Sequence, residues 1–287
     1  MDGKLHQQAI DLYDRFTHAG MDRRVFMARM VAIAGSVAAA EALIAGIAAS
    51  PAAAAVVPAN DERLTARTQK LANGYSAYVA EPTTRSLKAT VLVIHENRGL
   101  NDHIRDVTRR VAIAGYRAVA PDLLSPVGGT PANEDAARDA IGKLDLGAAV
   151  AAGVAMLGEL GGSSRGQKVG AVGFCWGGGY VDRLAVAAGG KLSGGVAYYG
   201  PAPDPSETAK VGAPMLLHLA GLDKRVAETA WPFASALGHA GKEVEVFVYP
   251  GANHAFNNDT SAERYDKAAA TLAWGRTLDF FHRHLGA

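Results

Sequence analysis

One cysteine, Cys175, stands among 287 residues, so the chain can form no internal disulfide and no zinc cluster built from several thiolates. Excess charge is equally scarce. Lys plus Arg number 29 and Asp plus Glu 28, giving +1 with neutral histidine, and no basic cluster stands out beyond pairs such as Arg23-Arg24 and Arg109-Arg110. A surface built to neutralise a run of phosphates is thereby excluded, and nucleic acid with it as a partner. No repeat at a fixed period appears. Gly177-Gly178-Gly179 lacks the following Lys-Ser/Thr of a phosphate-binding loop, and no group of His, Asp or Glu has ligand spacing along the chain, so neither metal nor cofactor is expected.

The chain is 49% hydrophobic and 20% charged, the composition of a globular protein with a sizeable core. Its first 55 residues differ from the rest. A modest amphipathic pattern (Ile10, Leu12, Tyr13, Phe16) leads into Asp22-Arg23-Arg24-Val25-Phe26-Met27, which resembles a twin-arginine export motif. Residues 30–49 are apolar with Glu41 as the sole charge, and the small residues Pro51-Ala52-Ala53-Ala54-Ala55 follow. Positive, then apolar, then small is the order of a secretory signal. Residues 1–55 are therefore expected to be a leader read by twin-arginine export machinery, making the protein periplasmic or otherwise exported. If uncleaved, the leader would tether it to a membrane, although alanine, glycine and a charge at mid-run make a weak span.

From residue 56 to 287, short β-branched runs alternate with helical stretches, the pattern of an α/β fold with a mostly parallel central sheet and helices on both faces. Strands are expected at 74–80, 90–95, 116–120, 168–173, 194–199, 215–220 and 243–249, and helices at 102–114, 134–142, 146–160, 177–188, 229–240 and 261–284. Ligands of such sheets bind beyond the carboxyl ends of the strands, so the residues there carry the functional argument.

Gly173-Phe174-Cys175-Trp176-Gly177 lies between a strand and a helix and is the thiol version of the nucleophile elbow. The flanking glycines suit a turn too tight for side chains, and a helix N-terminus favours thiolate. Two later strand ends carry Asp223 and His254, and the order Cys, Asp, His is that of the α/β-hydrolase triad. Taken singly, Cys175 suits a buried structural cysteine, Asp223 a helix cap and His254 a solvated loop residue. His95 and His218 lie within apolar strands, as core histidines do, and His282 and His284 point to different helix faces.

The stretch His95-Glu96-Asn97-Arg98-Gly99-Leu100, the elbow, Leu222-Asp223 and Tyr249-Pro250-Gly251-Ala252-Asn253-His254-Ala255-Phe256 resemble the dienelactone hydrolase family of the α/β-hydrolase fold, over roughly residues 75–285. With Pro121-Asp122-Leu123, Val127-Gly128-Gly129 and the leader, the chain resembles that family's exported twin-arginine branch. The resemblance implies a triad of Cys175, Asp223 and His254, with Glu96 as a carboxylate that interacts with the resting thiol. An ion pair from Glu96 to Arg98 or another arginine is the alternative for that residue. By analogy, the backbone N–H groups of Trp176 and Asn97 form the oxyanion hole. Dienelactone-cleaving members carry arginines after Pro-Asp-Leu and shortly after the histidine. Neither Pro121–Pro126 nor His254–Asp259 has one here. Arg98, Trp176 and Tyr199 are the candidates for contacting substrate.

The expected function is hydrolysis of a small ester or lactone through a thioester on Cys175, without a cofactor. A fold relative that binds a small ligand without turnover, or senses redox state through Cys175, is the alternative. A sensor would ordinarily need a resolving cysteine, and the chain has none. Oligomeric state is not legible.

Overall fold

The computed structural model describes residues 3–18, 20–48, 55–83, 89–162 and 167–286. The apolar runs Thr90–Ile94 (β3), Val169–Phe174 (β5), Gly194–Tyr198 (β6) and Met215–Ala220 (β7) bury every residue, as strands covered on both faces must. With Leu64–Lys70 (β1), Ser76–Pro82 (β2), Arg117–Pro121 (β4) and Val244–Tyr249 (β8) they form one eight-stranded sheet in the order β1-β2-β4-β3-β5-β6-β7-β8. β3 to β8 run parallel, while β2 is antiparallel to both β1 and β4.

Helices cover both faces. On one, Ile104, Val107 and Val111 of α4 (Asp102–Ile113) and Phe280, Phe281 and Leu285 of α9 (Lys267–Leu285) build a core. On the other, α6 (Leu146–Gly162), α7 (Trp176–Ala188) and α8 (Lys224–His239) contribute Met156, Leu157, Leu184, Phe233 and Leu237. A short α5 (Glu134–Gly142) precedes α6.

Three expectations need correction. β1 lies outside the expected strands, because an edge strand reading Leu-Thr-Ala-Arg-Thr-Gln-Lys carries no apolar run. α8 starts at Lys224 rather than 229, since the Asp223 side chain accepts the Val226 amide at 3.1 Å and opens the helix earlier. α9 starts at Lys267 rather than 261, capped by Asp266 through the Ala269 amide at 3.0 Å.

The larger surprise lies at the N-terminus. The run 30–49 is not one segment. Gly35, at φ 85°, closes α2 (Arg23–Ala34) by donating its amide to Val31 O, and Ser36 then caps α3 (Val37–Ile47). The two helices bend by 103°, and no single helix among the described residues is long and apolar enough to cross a membrane. Residues 51–54 of the expected cleavage region lie outside the described residues. Together α1 (Gly3–His18), α2 and α3 bury their own small core of Ile10, Leu12, Tyr13, Phe26, Met30 and Ile47, with Phe16 stacked on Phe26 at 4.1 Å between centroids.

This three-helix cap sits on the body at the carboxyl ends of the strands. The Ile47 carbonyl accepts from Ser261 Oγ at 2.7 Å and Arg264 Nε at 3.0 Å, and the Gly46 carbonyl accepts the Glu263 amide at 3.2 Å. Ser261, Glu263 and Arg264, expected within α9, make these contacts instead. Arg264 further pairs with Asp14 at 3.3 Å, and Gln7 Nε2 donates to Asn253 Oδ1 at 2.6 Å.

Candidate active site

β5 ends at Phe174 and α7 begins at Trp176, so a single residue, Cys175, makes the turn at φ 57° and ψ −119°. A non-glycine residue at positive φ carries about 1–3 kcal/mol of backbone strain, which the surrounding packing must offset. Close approach explains the flanking glycines. A Cβ on Gly173 would lie 2.0 Å from the Gly177 carbonyl oxygen, and one on Gly177 would lie 2.4 Å from that of His95. The sulfur therefore sits at the N-terminus of α7, where the Trp176 amide belongs to the first turn and has no carbonyl partner within its helix. Cys175 is 3% exposed.

His254 follows β8 and is held by Asp223, which follows β7: Nδ1 to Oδ2 is 2.5 Å. Asp223 makes two contacts at once: Oδ1 caps α8 while Oδ2 lies against the imidazole. Burial works against charge on His254, but the neighbouring Cys175 sulfur and the Asp223 carboxylate outweigh it and raise the pKa. Burial likewise opposes ionisation of Asp223, yet His254 and Arg225 hold its carboxyl below the usual range. His254 Nε2 has no hydrogen-bond partner among the described residues.

Glu96, after β3, is 6% exposed and lines the same cavity as Cys175 and His254. Its Oε2 accepts from Asn258 Nδ2 at 2.8 Å, and its Oε1 has no hydrogen-bond partner among the described residues. Among those residues it pairs with no arginine. Arg98 instead donates to the Tyr13 hydroxyl at 3.1 Å and pairs with Asp135 at 3.4 Å and Glu134 at 3.7 Å. Asn97 lines the cavity and donates its side-chain amide to the Thr17 carbonyl at 3.4 Å. Trp176 stacks on His95 at 5.7 Å, and Tyr199, at φ 38°, lies fully buried with its ring edge to His254 at 5.1 Å. His95 and His218 are hydrogen-bonded core histidines as expected: His95 contacts Glu96 O and the Leu123 amide, and His218 contacts Tyr249 and Thr277.

Two residues that the motifs did not reveal complete the site. His18, the last residue of α1, puts Nε2 3.1 Å from Cys175 Sγ and its ring against His254, with centroids 4.7 Å apart. Its Nδ1 lies 2.9 Å from the Asp14 carbonyl oxygen, and burial together with the nearby His254 and Arg225 charges lowers its pKa well below the usual value, leaving it neutral. Arg264, beyond the arginine-free stretch His254–Asp259, supplies a buried cation beside Asp14. With Tyr13 and Thr17 these residues close the cavity to about 20 Å³. The amphipathic face of α1 is visible in sequence, but nothing local says that it covers Cys175.

The sequence profile of the dienelactone hydrolase family matches residues 75–285. A protein named "Putative carboxymethylenebutenolidase" from Saccharolobus solfataricus is 31% identical over 244 residues, covering 72% of this chain and 93% of that one. A second of that name, from Escherichia coli O157:H7, is 30% identical over 257 residues, covering 83% and 94%. Among solved structures, one titled "Putative Dienelactone Hydrolase", from Klebsiella pneumoniae, superposes with a TM-score of 0.68 at 26% identity, over 77% of this chain and 99% of that one. The family profile, the relatives matched over nearly their full length and the solved neighbour agree, and the chain belongs to the dienelactone hydrolase family, a hydrolase of esters or lactones.

Proposed function

We propose that the protein cleaves a small ester or lactone by attack of the Cys175 sulfur on the carbonyl carbon. The observation that carries this reading is the strained elbow holding Cys175 beside a histidine whose far nitrogen is fixed by Asp223 at 2.5 Å. His254 takes the thiol proton and returns it to the leaving alkoxide, forming a thioester; it then draws a proton from water, whose hydroxide releases the acid. Asp223 orients the ring and stabilises its cationic form. The Trp176 and Asn97 amides are the donors assigned to the developing oxyanion. Glu96 modulates the resting thiol from the same cavity. The names of the relatives suggest a butenolide-type lactone, and Arg264 gives the site a cation suited to an acyl group bearing negative charge.

A cavity of 20 Å³ holds little more than one water, so the cap must swing aside for substrate to reach the sulfur. The reading also includes twin-arginine export, supported by the exposed pair Arg23-Arg24 after Asp22. Such export carries folded proteins, but the cap is built from the leader's own residues, so it must leave the body to be read and persists only in the uncleaved chain. Fractionation of cells producing the chain tests that part.

The catalytic part is tested with initial rates on p-nitrophenyl acetate and a panel of small lactones, for the wild type, Cys175→Ala and His254→Ala. Intact mass under substrate is recorded alongside. Loss of turnover in both variants and an acyl adduct on Cys175 are expected. Equal rates in all three proteins would instead favour ligand binding or redox sensing without turnover.

A further inference from the structure

His18 is not part of the catalytic proposal, yet it points at the same sulfur. Three donor atoms, one each from His18, Cys175 and His254, lie within 4.8 Å of one another. They come from the end of α1, the elbow after β5 and the loop after β8, so no spacing along the chain announces them.

Their outer partners are those of metal-binding imidazoles. A ligating histidine commonly gives its second ring nitrogen to a carbonyl or carboxylate, which fixes the tautomer and aims the free lone pair. Both rings here have such a partner. His18 Nδ1 lies 2.9 Å from the Asp14 carbonyl oxygen, and His254 Nδ1 lies 2.5 Å from the Asp223 carboxylate. That leaves Nε2 of each for the cavity. His18 Nε2 already meets Sγ at 3.1 Å, whereas the buried Nε2 of His254 has no hydrogen-bond partner among the described residues. A second unpartnered buried atom, Glu96 Oε1, belongs to a residue of the same cavity wall.

Size and donor type select the ion. Zinc with bonds of about 2.0–2.1 Å to nitrogen and 2.3 Å to sulfur needs tetrahedral donor separations of roughly 3.3–3.6 Å. The observed 3.1 Å edge and 4.8 Å limit bracket these values. The 20 Å³ cavity accommodates one such ion. One thiolate with two imidazoles is a borderline-soft donor set, suited to zinc and its analogues rather than to magnesium or calcium. Arg264 faces the cavity as an opposing cation, offset by its Asp14 partner and by the Glu96 carboxylate.

We propose that His18, Cys175 and His254 form a binding site for a thiophilic divalent cation such as Zn²⁺, which ties the cap to the nucleophile and holds the hydrolase shut. Binding displaces the thiol proton of Cys175, and any proton on His254 Nε2, to solvent; no electron is transferred. Release of the ion frees both groups and lets the cap leave. The inhibitory effect rests on Cys175 being the nucleophile, while the site itself does not.

Co²⁺ titrated into the full-length, metal-free protein tests the site through the sulfur-to-cobalt charge-transfer band, with Zn²⁺ as competitor. One equivalent should saturate the band, Zn²⁺ should abolish it, and Cys175→Ser should never develop it. Loss of an outer partner of a ligand costs about 10–100-fold in metal affinity, so loss of the ligand itself in His18→Ala should cost at least about 100-fold. Circular dichroism and the melting transition establish that each variant is folded, and His254→Ala supplies a second ligand deletion within the body. No band, or equal affinity in wild type and His18→Ala, overturns the proposal. Hydrolysis of p-nitrophenyl acetate by the metal-free wild type is measured in parallel. Turnover without a band defeats the metal site and leaves the hydrolase mechanism standing, whereas a His18-dependent band without turnover does the reverse. Where both exist, Zn²⁺ should stop hydrolysis at the concentration that displaces Co²⁺, and inhibition of His18→Ala at that same concentration would also overturn the proposal.

Discussion

His18 Nε2 stands 3.1 Å from Cys175 Sγ, so the last residue of the first helix is in contact with the proposed nucleophile. The cap that delivers it has its own core, and that core can be weakened without touching the body. Phe26, 2% exposed, stacks on Phe16 and packs against Tyr13. Replacing a buried phenylalanine by alanine typically costs about 3–5 kcal/mol. Phe26→Ala is therefore expected to loosen the cap and raise kcat/KM on p-nitrophenyl acetate several-fold, with the main melting transition of the sheet unchanged. A rate equal to or below that of the wild type would show that the cap does not limit access.

How legible this is from sequence depends on the range of the interaction. The buried strands and the elbow are readable because continuous apolar runs and Gly-x-Cys-x-Gly are local patterns with local causes. Asp223 and His254 are readable through their order after strands whose ends must share one edge. β1 is not, since its pairing with β2 rather than its own residues makes it a strand. Nor is the cap. The order of charge and apolarity in residues 22–49 fits an export signal, but Gly35 and Ser36 break the run, and its docking depends on partners such as Ser261 and Arg264 in distant sequence.

Asp223 offers a test that separates orientation from folding. Asparagine keeps an oxygen able to cap α8 through the Val226 amide, but it presents an amide where His254 Nδ1 needs a carboxylate. The ring then loses its tautomer control and the stabilisation of its cation. Asp223→Asn should lower kcat by roughly 10³–10⁴-fold, with a much smaller change in KM. Steady-state kinetics beside a melting curve decides it, and near-normal kcat would remove Asp223 from the mechanism.

His218 makes stability depend on acid. It is wholly buried between Tyr249 and Thr277, and burial, reinforced by the Arg276 charge, lowers its pKa from 6.5 to about 3. Between those values the unfolded chain binds a proton that the folded chain refuses, so stability falls as the pH falls. The contribution of this residue approaches about 1.4 kcal/mol per pH unit across the window. Urea unfolding at pH 6.5, 5.5 and 4.5 should show a shallower acid loss in His218→Gln than in the wild type, even though the variant begins less stable. Parallel slopes would mean that the imidazole does not stay neutral in the fold.

Asp182 works in the opposite direction. It lies on α7, fully buried, and neither carboxylate oxygen has a hydrogen-bond partner among the described residues. Burial raises its pKa from 3.8 to about 7, with Arg183 opposing the rise. Between those values the folded chain keeps a proton that the unfolded chain has lost, so here stability falls as the pH rises. Above pH 7 the fold must hold a buried, unpaired carboxylate. Asp182→Asn removes that charge at nearly constant volume. It should therefore leave stability at pH 4 close to that of the wild type and exceed it at pH 8 by a few kcal/mol, because the wild type loses about 1.4 kcal/mol for each pH unit between the two titrations. The decisive comparison is urea unfolding of both proteins at the two pH values. A deficit in the variant that is equal at pH 4 and pH 8 would indicate that the carboxylate is compensated within the fold and that its burial carries no such penalty.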